Sequence, residues 1–434
     1  MTTEPALSNR AEPGNFGTPV IVAVETILLE EYPNLVHVRV YTDDGVVGLG
    51  ETYFGARAVA SWIHETAAPY LVGKNPLEIE RHWQGLNPFL GFNSTGVEGR
   101  GRSAIDIALW DILGKYSGLP IYQLLGGAYR DKVRVYNTCA GYRYVRARPR
   151  KAGLEESNWG TDSDEGPYED LTAFLNDAGE LAHSLLEQGI SAMKIWPLDL
   201  LVGSGGDYIR NEDIRKGCEP FRKIRDAVGD KMEIMVEMHS LWDLPTAKRI
   251  ADAVREFEPA WLEDPIKMDS IDALRRFSES ARMPVAASET LASRWSFQDL
   301  MSRGGVDIVI FDPAWCGGIT EGKKIAAMAE SHQLPVAPHD CSGPVEFAAS
   351  VHLTTNLPNA IFQESVRAFY SGWYRDLVTN VPAVVDGFVH PLSGPGLGTE
   401  LQPGLTERPD AFVQTSRLRA GEVGVEEEVY GGRT

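Results

Sequence analysis

The sequence predicts an α/β barrel joined to a second, α+β lobe, on three observations. First, Glu237 in IMVEMH, Glu263 in AWLEDP and Glu289 in VAASET each end a short strand-like run, and they stand 26 residues apart and 26 again, one strand-helix unit repeated. Second, the rhythm continues through Asp312 in GVDIVIFDP, His339 in LPVAPHD and Glu364 in AIFQES, in steps of 23, 27 and 25 residues. These runs are rich in Val, Ile and Ala, as parallel strands covered on both faces require, and each is followed by enough chain for one helix. With VRVYNT near residue 135 and ISAMKIW near 193 they make eight strands, a complete barrel whose strand ends share one mouth. Third, the chain before about residue 128 follows a different pattern, strands first and helices after.

In chain order, residues 1–19 read as a loose tail. Pro5, Pro13 and Gly14 interrupt it and it has no apolar core, so neither a signal peptide nor a membrane span is expected. Residues 20–127 form the lobe. VAVETILLE and LVHVRVYTDDGVVGLGE read as antiparallel strands, with a turn at Asp44-Gly45. Ser103 then precedes a helix in which Ile105, Ala108, Leu109, Ile112 and Leu113 recur at helical spacing, stopped by Gly118 and Pro120. Residues 128–365 carry the barrel. Between its first two strands lies an insert, Arg143 to Asp170, in which Arg143, Arg146, Arg148, Arg150 and Lys151 are followed by a run of acids. It reads either as a lid over the catalytic face or as a solvated charge run. Residues 366–434 contain no further strand-end motif.

Composition narrows the function. With 41 Lys and Arg against 61 Asp and Glu, the formal charge is −20, which argues against nucleic acid or an anionic membrane as a partner. Cys139, Cys218, Cys316 and Cys341 show no CxxC and no framework spacing, and read as reduced thiols of a cytoplasmic protein. If Glu237, Glu263 and Glu289 converge at one mouth, they repel one another and need a cation. Oxygen ligands without thiolate suit Mg²⁺ best and Mn²⁺ next.

The segments GISAMKIW, VEMH, WLEDP, SET, DPAWCGGIT, PHD and FQE, in that order, resemble the strand-end motifs of the enolase superfamily, in its mandelate racemase-type subgroup. The resemblance covers nearly the whole chain, including the SAIDIALWDILGK helix and the late PGLG segment. It implies a modified TIM barrel with an α+β capping domain, a C-terminal segment that returns to the cap, and self-association. The implied chemistry is metal-assisted removal of the proton α to a carboxylate, with the enolate passing on to elimination or reprotonation. Cap loops around Tyr53, Phe54 and Gly91-Phe92-Asn93 would choose the substrate, or merely pack the lobe. One departure is that the family commonly has Asp where this chain has Glu237.

Within that frame His339 is the expected base, with Asp312 one strand earlier fixing its tautomer and stabilising the imidazolium. The resemblance places Glu364 beside the substrate carboxylate or enediolate oxygen as a protonated hydrogen-bond donor, with a purely structural role as the alternative. Mandelate racemase itself carries a Lys-x-Lys pair on the second strand, whereas this chain reads Lys194-Ile195-Trp196. Without the second lysine, ordinary two-base racemisation is disfavoured. Lys194 is left to neutralise the substrate carboxylate, or to pair with a barrel acid, and Trp196 to wall the pocket. His239 lies two residues past Glu237, so strand alternation would turn it toward the same cavity, as in galactonate-type sugar-acid dehydratases, where it would protonate a leaving hydroxyl. The expected function is Mg²⁺-dependent dehydration of a small anionic sugar acid to a 2-keto-3-deoxy acid. Epimerisation through the same enolate and a non-catalytic, metal- and acid-binding barrel are the alternatives. Muconate-type cycloisomerisation is less favoured, because no lysine occurs between Val306 and Thr320.

Overall fold

A computed structural model describes residues 18–87, 95–146, 166–202, 208–418 and 425–430. The lobe is a five-stranded antiparallel sheet in the order β14-β13-β1-β2-β3, built from β1 (Ile21–Leu29), β2 (Tyr32–Thr42), β3 (Val47–Tyr53), β13 (Ala411–Leu418) and β14 (Val425–Tyr430). The β2–β3 connection turns at Gly45, where φ is +91°, and Thr42 N–H donates to Val46 O at 3.0 Å. The C-terminal segment is thus part of this sheet: β13 pairs β1 from Ala23↔Arg417 to Leu29↔Ala411.

A long helix, Val97–Ser117, lies on the sheet and ends at Gly118 in the left-handed region. It begins six residues before Ser103, so Ser103 is not its start. The Ser103 hydroxyl instead donates to Gly99 O and accepts from Gly317 N–H, tying the helix to the barrel. Buried Asp111 on the same helix accepts from Leu49 N–H and from Leu397 N–H, so one carboxylate joins β3, the helix and the returning C-terminal chain. The helix can approach β3 because that strand carries glycine where they meet. A Cβ on Gly50 would stand 1.9 Å from Ala104 O, a backbone atom that cannot step aside. Gly50→Ala is therefore expected to destabilise the lobe by about 1–3 kcal/mol, read as a lowered thermal midpoint.

The barrel strands are β4 (Val133–Thr138), β5 (Ala192–Ile195), β6 (Glu233–Glu237), β7 (Trp261–Glu263), β8 (Val285–Ala287), β9 (Ile308–Val309) and β10 (Gln363–Ser365), parallel from each to the next through β9. The seventh position is a single bridging residue, Val336, which pairs Val309 on one side and Ala360 on the other. Since β10 pairs β4, the ring of pairings returns to its start. A short hairpin, β11 (Val384–Val385) and β12 (Phe388–Val389), pairs antiparallel with the start of β4. No described helix is long and apolar enough to cross a membrane.

Inside the ring, every strand position supplies a buried side chain to one small cluster: Tyr136, Ala192, Met235, Trp261, Ala286, Ile308 with Ile310, Ala337 and Phe362. Side chains two residues apart on a strand share a face. One step further along, toward the strand ends, the same inward positions are Thr138, Lys194, Glu237, Glu263, Ser288, Asp312, His339 and Glu364. The polar layer is thus the next storey of the barrel, resting on an apolar plug.

The cap is fastened to that storey. Glu51, at the end of β3, accepts from Val345 N–H and Glu346 N–H at the start of the helix Pro344–Asn356, just after His339. His37 Nδ1 lies 3.0 Å from its other oxygen.

Candidate active site

The three glutamates meet. Glu237, Glu263 and Glu289 each present an oxygen, and these oxygens lie within 4.8 Å of one another. Glu237 and Glu263 come from the inward layer, whereas Glu289 follows the layer position Ser288, whose hydroxyl donates to Asp264. Both oxygens of Glu263 are engaged, Oε1 by Lys194 Nζ at 2.6 Å and Oε2 by the Trp261 indole N–H at 2.9 Å. Glu237 Oε1 accepts from Met238 and His239 N–H. Buried Glu237 Oε2 has no hydrogen-bond partner among the described residues, with Lys194 Nζ at 3.1 Å as its ionic neighbour.

The electrostatics show how much positive charge the cluster lacks. Burial pushes all three carboxyls up. At Glu237 the Lys194 ammonium and His239 outweigh burial, and its pKa falls below the ordinary value. At Glu263 burial and the neighbouring Glu237 charge hold it well above, and Glu289 is also raised by burial despite His339. Lys194 is shared with Glu364 as well, and a divalent cation among the three carboxyls would favour their charged forms. The all-oxygen donor set and the orphaned Glu237 oxygen fit a hard cation such as Mg²⁺.

Lys194 stands at the centre of the layer. Besides Glu237 and Glu263 it lies 3.1 Å from Glu364 Oε1, so it pairs with barrel acids while still lining the cavity. Glu364 is held in the layer as an acceptor. It accepts from the Thr138 hydroxyl and from Asp340 N–H. Burial raises its carboxyl, but Lys194 and His339 together bring it below the ordinary value. The reason is its neighbours, an ammonium and an imidazole that favour the charged carboxylate.

His339 and Asp312 are brought together, Nδ1 to Oδ2, at 2.8 Å, and the opposite nitrogen, Nε2, lies 3.1 Å from Glu289. Burial lowers the imidazole pKa, but Glu289, Glu364 and Asp312 outweigh it and hold it well above the ordinary value.

His239 also lines the cavity, by a route different from strand alternation. The strand β6 ends at Glu237, and His239 has a positive φ of 46°, so the chain has already turned. Its Nδ1 lies 2.5 Å from Oδ2 of Asp199, a fully buried carboxylate on the short 3₁₀ turn after β5. Burial lowers the His239 pKa, and Glu237 followed by Asp199 raises it to about 9. Burial lifts Asp199 to about 6. Asp199 is absent from the sequence reading, since only the fold brings it beside a histidine 40 residues away.

An aromatic wall completes the cavity. Tyr53 and Phe54 come from the cap, Tyr144 from the insert, and Trp196 and Trp315 from the barrel loops. Trp196 meets His239 edge-on at 5.6 Å, and Trp315 lies 5.0 Å from the His339 ring. The Arg100 guanidinium lies 4.2 Å above Trp315. Of the insert's arginines, Arg146 pairs with Glu31 of the cap and lies over Tyr32, which fastens the insert to the cap. Residues Arg148, Arg150 and Lys151, the acids Glu155 to Glu165, and Gly91-Phe92-Asn93 lie outside the described residues.

Comparison with known proteins agrees with this geometry. Residues 177–405 match the enolase C-terminal domain-like family model, and residues 9–126 match the mandelate racemase/muconate lactonizing enzyme N-terminal domain. D-xylonate dehydratase of Haloferax volcanii is 32% identical over 391 residues, 88% of this chain and 86% of that protein. D-galactonate dehydratase of Pectobacterium atrosepticum is 30% identical over 376 residues, 85% of this chain and 89% of that one. A crystal structure of an enolase of the mandelate racemase subgroup from Agrobacterium tumefaciens superposes with a TM-score of 0.81 at 47% identity, covering 92% of this chain and 99% of that chain. Two lobes, a cap fastened to a barrel, a carboxylate triad and these matches across both lobes place the chain in the mandelate racemase/muconate lactonizing enzyme family of the enolase superfamily.

Proposed function

We propose that the chain is a Mg²⁺-dependent sugar-acid dehydratase, a hydro-lyase acting on an aldonic or aldaric acid to give a 2-keto-3-deoxy acid. The observation that carries the reading is the pair of histidines, His339 and His239, lining one cavity beside the triad, each with its own buried carboxylate. Relatives at about 30% identity carry the names D-xylonate and D-galactonate dehydratase.

In this reading the His339 nitrogen opposite Asp312 takes the C2 proton, and Asp312 holds the ring in register and stabilises the imidazolium. The C2–H electron pair passes into the carboxylate to give the enolate, and from there forms the C2–C3 double bond as the C3–O bond breaks. His239 gives its proton to the departing oxygen, water leaves, and the enol collapses to the ketone at C2 with a solvent proton at C3. Lys194 meets the substrate carboxylate, and Glu364 and Thr138 keep the lysine end of the cavity in place. Trp196, Trp315, Tyr53 and Phe54 exclude water. Glu237, Glu263 and Glu289 would hold Mg²⁺, which when bound supplies Lewis-acid stabilisation of the charge growing on the substrate carboxylate oxygens.

Trp261 should matter for the metal, because its indole holds the second oxygen of Glu263. Trp261→Phe removes that donor and keeps an aromatic plug, and is expected to weaken Mg²⁺ binding about tenfold by calorimetry.

The test of the function is a screen of aldonic, aldaric and uronic acids with Mg²⁺, with detection of 2-keto acid. Product formation that is lost in His239→Ala supports dehydration. Epimerisation is the second reading, favoured by one observation: the His239–Asp199 pair mirrors His339–Asp312 and could return a proton to the opposite face of C2. Recovered acid inverted at C2, without keto product, would select it. Tight acid binding without turnover across the whole library would select a binding barrel. The proposal includes self-association of the chain, to be read by light scattering.

A further inference from the structure

We propose that Asp199 is the positioning residue that aims His239 at the leaving group, and so commits the enolate to elimination rather than return. The inference rests on the dehydratase reading of the same cavity.

The geometry is specific. A histidine has two ring nitrogens, and the partner of one decides what the other can do. Asp199 Oδ2 lies 2.5 Å from Nδ1, so Nε2 is the nitrogen on the side of the ring away from Asp199, and the residue lines the cavity. The ring is also held sideways by Trp196, edge-on at 5.6 Å, and Trp196 is braced by Phe174 at 5.2 Å. Asp199 itself is fixed from behind: its N–H donates to Trp196 O at 3.2 Å, and Val202 N–H donates back to Asp199 O. The WPLD segment thus sets both the flank and the far end of the ring. Asp199 does not line the cavity, so its effect must pass through His239.

The consequence concerns partition. Removal of the C2 proton by His339 does not involve Asp199. The later event does: the C3–O bond breaks with its electron pair going to oxygen, which receives the proton from His239 Nε2 and leaves as water. A misaimed His239 would leave the enolate to recapture a proton at C2 from His339, which exchanges with solvent.

The experiment uses Asp199→Asn, which keeps the shape and replaces the charged carboxylate with a neutral amide that can also present a donor to the ring, in D₂O with Mg²⁺ and the best acid from the screen. Elimination is expected to fall on the order of 10²-fold. Deuterium at C2 of recovered acid should meanwhile appear at least as fast as with the wild type. The same acid carrying fluoride in place of the 3-hydroxyl loses an anion that needs no full protonation. On it the variant should recover to within about tenfold of the wild type. His239→Asn should show the same partition, and the double variant should be no worse than His239→Asn alone. Unchanged elimination by Asp199→Asn would overturn the proposal. Equal loss of elimination, exchange and fluoride release would also overturn it, as a purely structural role. A wild type that eliminates water from no acid in the library would instead sink the dehydratase reading, and the proposal with it.

Discussion

His339→Ala is expected to lower dehydration by roughly 10²–10⁴-fold and to abolish deuterium exchange at C2 of recovered substrate. The side chain is 7% exposed and held at both nitrogens, by Asp312 at 2.8 Å and Glu289 at 3.1 Å, so no nearby group inherits its place. Lys194 is drawn into the carboxylates at 2.6 and 3.1 Å, and His239 is bound to Asp199 on the other flank. The variant should still bind Mg²⁺, because the triad does not include the imidazole. A retained metal-dependent thermal shift together with lost exchange would separate loss of the base from loss of the site. Exchange at the wild-type rate in this variant would remove His339 from the role.

Glu263→Gln should weaken Mg²⁺ binding by roughly 100-fold or more, since a direct ligand counts for more than the outer-shell partners whose loss costs 10–100-fold, and activity should fall with it. The same substitution should leave the metal-free protein at least as stable. Glu263 is buried, and burial together with the Glu237 charge holds its carboxyl well above the ordinary value. The sign follows from proton counting. In the metal-free protein the folded state retains a proton at Glu263 that the unfolded chain gives up near the ordinary carboxylate pKa. The folded state therefore binds more protons, and stability falls as pH rises above that value. Glutamine carries no such charge, still accepts from Trp261, and leaves Lys194 its contacts with Glu237 and Glu364. The expected record is an unchanged or raised metal-free midpoint near neutral pH and a missing upward shift on adding Mg²⁺. A lowered metal-free midpoint with an intact Mg²⁺ shift would contradict this view of the triad.

The parts of the site legible in the sequence are those governed by strand periodicity. Met235 to Glu237 and Trp261 to Glu263 are each one two-residue step along a strand, and Ile310 to Asp312, Ala337 to His339 and Phe362 to Glu364 repeat the same step at or just past a strand end. A repeat near 25 residues therefore told where the acids and the histidine would converge. The illegible parts depend on loops. Asp199 reaches His239 through a 3₁₀ turn whose direction no local pattern records, and His239 faces the cavity through a positive φ, not through alternation. Ser103 has the residue type of a helix start, yet the helix already runs through six earlier residues, Val97 to Arg102, of which Gly99, Gly101 and Arg102 are buried. The lowered pKa of Glu364 was hidden for the same reason, since it depends on Lys194 and His339 arriving from other strands.

The most direct test of the central claim is one NMR experiment on the wild type in D₂O with Mg²⁺ and the acid found by screening. The account predicts a 2-keto-3-deoxy acid carrying one solvent deuterium at C3. Recovered acid carrying deuterium at an inverted C2, with no keto product, would contradict it.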